Sequence, residues 1–257
     1  MADLISSAMN LLLGAQRIAV FSGAGLSADS GLATFRDADN GRWNQVDVAK
    51  VATRFAFKTN RDAVWTHYEH RRREALRAEP NAGHLALTRL QAAGRLLGYI
   101  TQNVDDLHER AGHAPVHHLH GSLFAPRCVR CNAAHAEPLP LLGQIPDVVH
   151  APPSCRHCRR GVIRPGVVWF GESLPRDAWA AAKELMARCD AVLILGTSGQ
   201  VKPAADLPHI ARRAGKPIVV VDPTPPTIWD DANTVSIVGH ASEVLPMLVD
   251  QVLLEKA

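Results

Sequence analysis

Four of the five cysteines stand in two closely spaced pairs, Cys128 with Cys131 and Cys155 with Cys158. A C-x-x-C turn presents two sulfur atoms to one ion, and two such turns complete the tetrahedral thiolate shell that zinc prefers. Four thiolates leave no position for water, so we expect one structural zinc ion and no metal in the chemical step. Free or redox-active thiols are the alternative. We expect Cys189, the fifth cysteine, to be a small buried hydrophobic residue.

Basic residues surround the cysteine pairs and leave a second interpretation of the zinc ribbon open. A zinc ribbon flanked by basic residues can bind nucleic acid. The usual explanation of basic residues near a zinc ribbon, however, is that they form a solvated rim. The whole chain has 28 Lys and Arg against 25 Asp and Glu, a net charge of +3, so its charge does not favour nucleic acid as a specific partner. The basic residues concerned are Arg127, Arg130, Arg156, Arg159 and Arg160.

A glycine-rich segment, residues 23–28 (GAGLSA), follows the short aliphatic run 17–21 and precedes a helix-like stretch. In that context the backbone N–H groups of a G-x-G-x-x-G/A segment can hold the pyrophosphate of a dinucleotide. A dehydrogenase would next show a second aliphatic strand that ends in an acidic residue, and residues 37–47 contain no such strand. The segment therefore favours a dinucleotide but disfavours hydride transfer.

Three further aliphatic runs, 97–100, 191–195 and 218–221, each end in a polar or glycine-rich cluster. Continuous aliphatic runs separated by helical stretches indicate a parallel sheet covered on both faces. Ligands of such sheets bind outside the carboxyl ends of the strands, so we expect the polar clusters to meet in one crevice. We predict helices over 4–15, 84–93 and 203–214.

Two segments, 37–80 and 126–164, do not follow the alternation of strand and helix. We therefore predict an α/β protein with a Rossmann-like parallel-sheet domain formed by residues 1–36, 81–125 and 165–257. A smaller domain, consisting of a helical module and the four-cysteine zinc ribbon, is formed by the two insertions.

The composition of the 257 residues, 47% hydrophobic and 21% charged, is typical of a globular protein and excludes wholesale disorder. The longest aliphatic runs are far shorter than the roughly 18 apolar residues of a membrane span. No basic residue precedes Arg17, which is the wrong polarity for a secretory signal. We therefore expect a cytoplasmic protein with no membrane partner, and the composition is compatible with a monomer.

Six groups of residues, taken in their order and spacing, match the motifs of one enzyme family. They are GAGLSADSGLATFR (23–36), TQNVDDLH (101–108), HLHGSLF (118–124), the two C-x-x-C pairs, RPGVVWFGE (164–172) and GTSGQVKPAA (196–205). Together they resemble the sirtuins, the NAD-dependent protein-lysine deacylases. The resemblance covers roughly residues 15–250 and implies that NAD and an acylated lysine side chain bind between the Rossmann-like domain and the zinc-bearing domain.

The resemblance also implies which residues contact NAD. The glycine-rich residues 23–25 are expected to hold the pyrophosphate, and residues 196–198 the adenosine ribose and phosphate. Gln102 is expected to touch a ribose, while Asn103 and Asp105 line the nicotinamide pocket and assist catalysis. The complete set is Gly23, Ala24, Gly25, Ser27, Phe35, Arg36, Gln102, Asn103, Val104, Asp105, Gly196, Thr197, Ser198, Asp222 and Ala241.

His120 is the general base that the resemblance implies. The acyl oxygen of the substrate attacks a ribose carbon as nicotinamide leaves, and a base must then activate a ribose hydroxyl. Histidine, with a reference pKa of about 6.5, suits that proton transfer at neutral pH. The implied products are free lysine, nicotinamide and O-acyl-ADP-ribose. Neighbouring side chains on a strand point to opposite faces, and we expect His117 and His118 to be solvated and not to bind a metal.

Tyr68 and Arg71 stand three residues apart in a helical stretch, so their side chains share one helix face. A solvated charged face with one packed tyrosine is the simplest explanation from composition. The Y-x-x-R pattern at this place, however, resembles the class III sirtuins, in which the arginine and the tyrosine hold the carboxylate of a succinyl, malonyl or glutaryl group. We therefore predict desuccinylation or demalonylation alongside deacetylation, with Ala52 leaving the acyl pocket roomy. Val168, Phe170 and Gly171 are expected to pair with the substrate backbone.

Four features depart from the family pattern. Ala33 stands where proline is usual, the segment DADNGR is one residue longer, and Lys202 stands where an aromatic residue is common. Asp222 replaces an asparagine, and its charge would repel a 2′-phosphate, so we predict a preference for NAD over NADP.

Two other functions remain open at this point. A mono-ADP-ribosyltransferase could use the same scaffold and consume NAD. A zinc-ribbon binding module without enzymatic activity would leave the glycine-rich, QNVD and HG motifs without a purpose.

Overall fold

The structure, a computed structural model, describes residues 2–33 and 48–254. In chain order its strands are β1 (Ile18–Ser22), β2 (Leu96–Thr101), β3 (Val116–His118), β4 (Arg127–Cys128), β5 (Ile163–Arg164), β6 (Ala191–Leu195), β7 (Ile218–Asp222) and β8 (Thr234–Val238). Six of them form one parallel sheet in the order β3-β2-β1-β6-β7-β8. The strand order moves outward from β1 in both directions, which is the doubly wound arrangement expected of a Rossmann-like fold.

The helices within the described ranges are α1 (Ala2–Leu13), α2 (Ala24–Ala28), α3 (Val48–Val51), α4 (Arg54–Thr59), α5 (Arg61–Arg77), α6 (Ala82–Ala92), α7 (Leu107–Arg110), α8 (Arg176–Arg188), α9 (Pro208–Arg213) and α10 (Ala241–Leu254). None of these helices combines the length and the apolar character that crossing a bilayer requires.

Both faces of the parallel sheet are covered by helices. On one face, Leu12 of α1, Leu87 of α6 and Leu248 of α10 belong to one buried cluster with side chains of the strands. On the other face, Met186 of α8 and Ala211 of α9 belong to a second cluster. Because each strand is buried on both sides, the central strands consist of continuous aliphatic residues, as the sequence predicted.

The strand register brings the predicted polar clusters to one edge of the sheet. Ser22, the last residue of β1, is paired with Thr101 at the end of β2 and with Leu195 at the end of β6. Leu195 is paired in turn with Val221 of β7. The segments that follow these strands therefore start side by side, and the predicted α/β fold with its convergent clusters is confirmed.

The two insertions pack against each other beside the sheet. One buried cluster joins Phe57 and Trp65, from α4 and α5, with Cys128 and Ile163, from the antiparallel pair β4 and β5. The second insertion is held to α5 by Arg73, whose guanidinium donates to Asp147 and to the Ile145 carbonyl. The domain boundaries given above stay predictions.

Two elements differ from the sequence-based expectation. The glycine-rich segment, expected to precede a helix, is itself helical over most of its length, because α2 begins at Ala24 directly after Gly23. The helix expected over 203–214 is divided into a 3-10 turn, Ala204–Asp206, and the short helix α9. Pro208 has no N–H to continue the preceding turn and is favoured as the first residue of a new helix, which explains the division.

Candidate active site

A cleft at the carboxyl edge of the sheet brings most of the predicted catalytic, cofactor and substrate residues together. It is also lined by Ala52 and by Ala33 and Lys202, two of the positions that depart from the family pattern. Since the cleft contains residues of the sheet edge and of the helical insertion, one ligand there can contact both. The predicted residues that line it are Ala24, Ser27, Tyr68, Arg71, Gln102, Asn103, Val104, Asp105, His120, Val168, Phe170 and Gly171.

Gly25 and Gly196 lie in backbone contact behind the cleft. The Gly25 N–H donates to the Gly196 carbonyl oxygen at 2.8 Å, and a Cβ on Gly25 would lie 2.6 Å from the Gly196 Cα. A Cβ on Gly23 would likewise lie 2.7 Å from the Thr197 Cβ. Gly196 has a φ of +56°, a conformation that favours glycine. Glycine at these positions therefore lets the turn after β1 close onto the turn after β6.

A buried set of hydrogen bonds connects the helix α2 to the segment after β2. The Asn103 amide donates to the Gly23 carbonyl at 3.1 Å and lies 3.0 Å from Ser27 Oγ, which in turn donates to Asp105 at 3.1 Å. The other Asp105 oxygen accepts from the Leu107 N–H at 3.2 Å. Burial raises the Asp105 pKa, although these donors oppose the shift. The predicted nicotinamide-pocket residues are thus fixed before any ligand binds.

The imidazole of His120 is oriented by a backbone carbonyl. His120 Nδ1 lies 3.0 Å from the Gln102 carbonyl oxygen. A carbonyl can only accept, so Nδ1 carries the proton and Nε2 is the basic nitrogen. Burial lowers the His120 pKa, and the bond to Gln102 opposes this only in part. His120 is therefore neutral near pH 7 and able to take a proton.

His118 is not solvated, and the expectation for this residue was wrong. Its Nδ1 lies 2.8 Å from the Asn103 carbonyl oxygen and its Nε2 lies 2.7 Å from Glu109, with 16% of the side chain exposed. Burial lowers the His118 pKa, but the hydrogen bonds to Glu109 and Asn103 outweigh it and the net shift is upward. Glu109 belongs to α7, so the contact with this helix holds the His118 ring in place.

Three buried histidines, His84, His108 and His113, support the site from behind. His113 Nε2 lies 3.0 Å from the His84 carbonyl, His113 Nδ1 lies 2.7 Å from His108 Nδ1, and His108 Nε2 lies 2.8 Å from the Ser22 hydroxyl. Because the carbonyl only accepts, His113 is protonated on Nε2 and accepts from the His108 Nδ1–H. His108 therefore carries a proton on Nδ1, and its Nε2 faces the Ser22 hydroxyl.

Stability is expected to fall as the pH falls from about 6.5 towards 4, because these histidines resist protonation in the folded state. Burial lowers the pKa of His84 and of His113 to about 4, and that of His108 further. The unfolded chain takes up protons near pH 6.5 and the folded chain does not, so His84 and His113 each remove roughly 1 to 2 kcal/mol of stability between pH 6.5 and pH 5, and His108 acts in the same direction. Denaturant unfolding of the wild type and His113→Gln at both pH values measures this difference.

The variant His113→Gln is expected to be less stable at pH 7 but to lose less on acidification than the wild type. The exposed His157, changed to glutamine, is the matched control and should leave the pH dependence unaltered. An identical loss on acidification in His113→Gln and the wild type would show that the histidine chain does not control acid stability.

Tyr68 and Arg71 line the same cleft as His120. Tyr68 is 9% exposed, so it does not belong to a solvated helix face. Its hydroxyl accepts a hydrogen bond of 3.1 Å from Trp169 Nε1, and burial raises its pKa to about 12. One Arg71 nitrogen lies 3.1 Å from Glu74. The two residues of the Y-x-x-R pattern therefore place a neutral hydroxyl and a guanidinium in the wall of the cleft.

In the segment expected to pair with substrate, two alternate backbone N–H groups are already hydrogen-bonded within the protein. The Val168 N–H donates to the His120 carbonyl at 2.8 Å, and the Phe170 N–H donates to the Ala52 carbonyl at 3.0 Å. Phe170 itself is 54% exposed. These bonds tie the segment both to the base and to the helical insertion.

The four paired cysteines have the arrangement of a tetrahedral metal site. Their sulfur atoms all lie within 4.8 Å of one another, with Cys128 and Cys158 at 3.7 Å and Cys131 and Cys155 at 3.8 Å. A zinc ion with four zinc–sulfur bonds of about 2.3 Å has sulfur–sulfur edges of about 3.8 Å. The donor set and its spacing therefore fit one structural zinc ion. Cys189 is fully buried elsewhere, as expected.

Removal of one zinc ligand is expected to abolish zinc binding and to lower the melting temperature by at least about 10 °C. Cys128 and Cys155 belong to the same buried cluster as Tyr68 and Trp169, so loss of the metal should also disturb the acyl side of the cleft. Zinc content and melting temperature of Cys131→Ser measure the effect, with Cys189→Ala as the control that keeps its metal. One zinc ion per chain in Cys131→Ser would contradict the four-cysteine site.

The remaining predicted cofactor residues lie outside the lining of this cleft. Ser198 follows β6, and Asp222 ends β7, where its carboxylate accepts from the Thr224 N–H at 2.8 Å. Ala241 begins α10 and is buried. Phe35 and Arg36 lie outside the described residues, as does the whole segment 37–47.

Trp169 was not predicted to have a side-chain role in the site. The string RPGVVWFGE was assigned only a backbone function, yet Trp169 lines the cleft and its indole donates to Tyr68. No sequence signal connects the two residues, which are 101 positions apart.

Comparisons with known proteins agree with the motifs. The model of the Sir2 family matches residues 23–203. The NAD-dependent protein deacylase 1 of Pseudomonas aeruginosa is 46% identical over 252 residues, which cover 94% of this chain and 96% of that protein. A solved Sir2 homologue–NAD complex superposes with a TM-score of 0.88 and 37% identity, covering 98% of this chain and 95% of the other. Sir2Tm bound to a propionylated peptide gives a TM-score of 0.80 and 30% identity, covering 96% and 98%.

Proposed function

The chain belongs to the Sir2 family and is an NAD-dependent protein deacylase, and we propose that it prefers acyl groups that end in a carboxylate. The observation that supports this preference is the position of Tyr68 and Arg71 in the same cleft as His120. A guanidinium and a neutral hydroxyl in the cleft wall match a carboxylate, whereas an acetyl group offers nothing for them to bind. The proposed substrates are therefore succinyl-lysine and malonyl-lysine, with acetyl-lysine as the poorer one.

The residues at the carboxyl edge of the sheet are proposed to hold NAD. The relative solved with NAD has the same fold over nearly the whole chain, and the present residues fit a dinucleotide because the turns after β1 and β6 meet through glycine contacts. When bound, NAD supplies the ribose carbon to which the acyl oxygen becomes attached as nicotinamide leaves. Asn103 and Asp105 are proposed to orient the nicotinamide side, and the segment 196–198 the adenosine side.

His120 is proposed to take the proton from a ribose hydroxyl after nicotinamide has left. Its Nδ1–H is committed to the Gln102 carbonyl, so Nε2 is available as the base. The lowered pKa keeps this nitrogen unprotonated at neutral pH. Zinc has no part in the proton transfer, since four sulfur atoms fill its coordination shell.

The names of the relatives favour deacylation over mono-ADP-ribosyl transfer. The preference for NAD over NADP remains a prediction, as do a monomeric state, a cytoplasmic location and the absence of a specific nucleic-acid partner. Protein substrates carrying acylated lysine side chains are the proposed partners.

The test is turnover of one lysine peptide prepared in acetyl, succinyl and malonyl forms, with and without NAD, followed by mass spectrometry. We expect NAD-dependent loss of all three groups, with kcat/KM at least about tenfold higher for succinyl or malonyl than for acetyl. Equal or higher kcat/KM for the acetyl peptide would refute the proposed acyl preference and leave the deacylase assignment intact.

A further inference from the structure

We propose that Trp169 is a positioning residue for the acyl carboxylate, because its indole N–H fixes the direction in which the Tyr68 hydroxyl donates. The inference rests on the proposed preference for acyl groups that end in a carboxylate. It adds to the Y-x-x-R pair a residue from a different part of the chain, 101 positions away.

The hydrogen bond between the two side chains has only one possible direction. An indole nitrogen can only donate, so Trp169 Nε1–H donates to the Tyr68 oxygen at 3.1 Å. The Tyr68 hydroxyl hydrogen therefore cannot point at the indole, and it is left to donate to another acceptor. Tyr68, Trp169 and Arg71 all line the same cleft. A carboxylate that pairs with Arg71 would therefore lie near the Tyr68 hydroxyl.

The indole is held in place by a buried ion pair. The Arg164 guanidinium lies 3.6 Å from the Trp169 ring centroid and donates to Glu172 at 2.8 Å. The Glu172 carboxylate also accepts from the Trp169 backbone N–H at 3.0 Å. On the remaining side Phe57 packs with a centroid distance of 5.2 Å. The indole N–H thus has a fixed direction. Because it occupies one side of the Tyr68 oxygen, the hydroxyl hydrogen has to point away from the indole.

This arrangement distinguishes acyl groups by what they carry at their far end. A succinyl or malonyl carboxylate gains a hydrogen bond from the oriented hydroxyl, but an acetyl group has no oxygen at that position. Loss of the indole N–H should therefore affect the first class of substrate and spare the second, which a general loss of structure would not do.

Trp169→Phe removes the N–H and keeps an aromatic ring. We expect kcat/KM for succinyl-lysine to fall about tenfold and kcat/KM for acetyl-lysine to change less than about twofold. In the Tyr68→Phe background the same substitution should have no further effect on succinyl-lysine, since the hydroxyl is already absent. Should Trp169→Phe prove unstable, benzothienylalanine at position 169 replaces only the N–H by sulfur and keeps the ring size.

Equal losses on both peptides, or an additive loss in the double variant, would show that Trp169 only supports the fold and would overturn the inference. A Tyr68→Phe variant with undiminished preference for succinyl-lysine would show that the Tyr68 hydroxyl does not bind the acyl carboxylate and would overturn the inference, whereas a wild type without any preference for succinyl-lysine would refute the proposed function itself. A Tyr68→Phe variant that loses the preference beside a Trp169→Phe variant that keeps it would refute the inference alone.

Discussion

Replacement of His120 by alanine is expected to lower kcat for deacylation by about 10²- to 10⁴-fold, which is the usual contribution of a general base. The Gln102 carbonyl fixes the His120 tautomer, and His120 is the only histidine among the described residues that line the cleft. Steady-state turnover of an acyl peptide with saturating NAD measures the loss.

His117, three positions before His120, provides the matched control, because it does not line the cleft in the described structure. His117→Ala is expected to stay within about threefold of the wild type. Since the His120 pKa is lowered, kcat should hold from neutral pH down to below about 6.5 and decline only in more acidic solution. Wild-type activity in His120→Ala would mean that another group takes the ribose proton.

Substitution of Arg71 by methionine is expected to lower kcat/KM for succinyl-lysine by about 10²- to 10³-fold, because a carboxylate would then enter the cleft without a cationic partner. The guanidinium shares the cleft wall with the Tyr68 hydroxyl, three residues earlier on α5. For acetyl-lysine the expected change is less than about threefold. Competition between the two peptides in one reaction measures the change in preference directly.

Arg77→Met removes the same charge from an exposed position at the end of the same helix. It should leave the preference between the two peptides unchanged and so controls for long-range electrostatic attraction. If Arg71→Met lowered activity on both peptides equally, Arg71 would support the cleft without pairing with the acyl carboxylate.

The parallel sheet was predictable because its strands carry a strong and local signal. Runs such as 191–195 and 218–221 contain only aliphatic residues and end in polar residues, a pattern that a strand buried on both faces requires. The zinc site was predictable for a similar reason, since C-x-x-C turns are local and their chemistry is specific. The division of the expected helix over 203–214 was not predicted, although Pro208 was a visible signal for it.

The candidate site was predicted residue by residue only where a motif existed. His120, Asn103 and Asp105, whose roles the family resemblance implied, line one cleft, and those roles stay predictions. The bond from Trp169 to Tyr68 depends on tertiary packing between segments far apart in the chain, and no local pattern encodes it.

The partners of a buried histidine were also beyond the sequence. A histidine on a short strand can be solvated or paired, and the choice depends on what the neighbouring helix presents. For His118 the neighbour is Glu109 of α7, a partly exposed carboxylate that pairs with a ring expected to be solvated. Gly25 and Gly196 were predicted to hold phosphate groups, which stays a prediction, and their backbone contact with each other was not foreseen.

The most direct test of the proposed activity is a product balance in a single reaction of a succinyl-lysine peptide with NAD. Acyl transfer predicts nicotinamide, free-lysine peptide and O-succinyl-ADP-ribose in equal amounts, with none formed when NAD is omitted. NAD consumption that leaves the succinyl group on the peptide, with the ADP-ribosyl group attached to protein, would contradict deacylation of carboxylate-ended acyl groups.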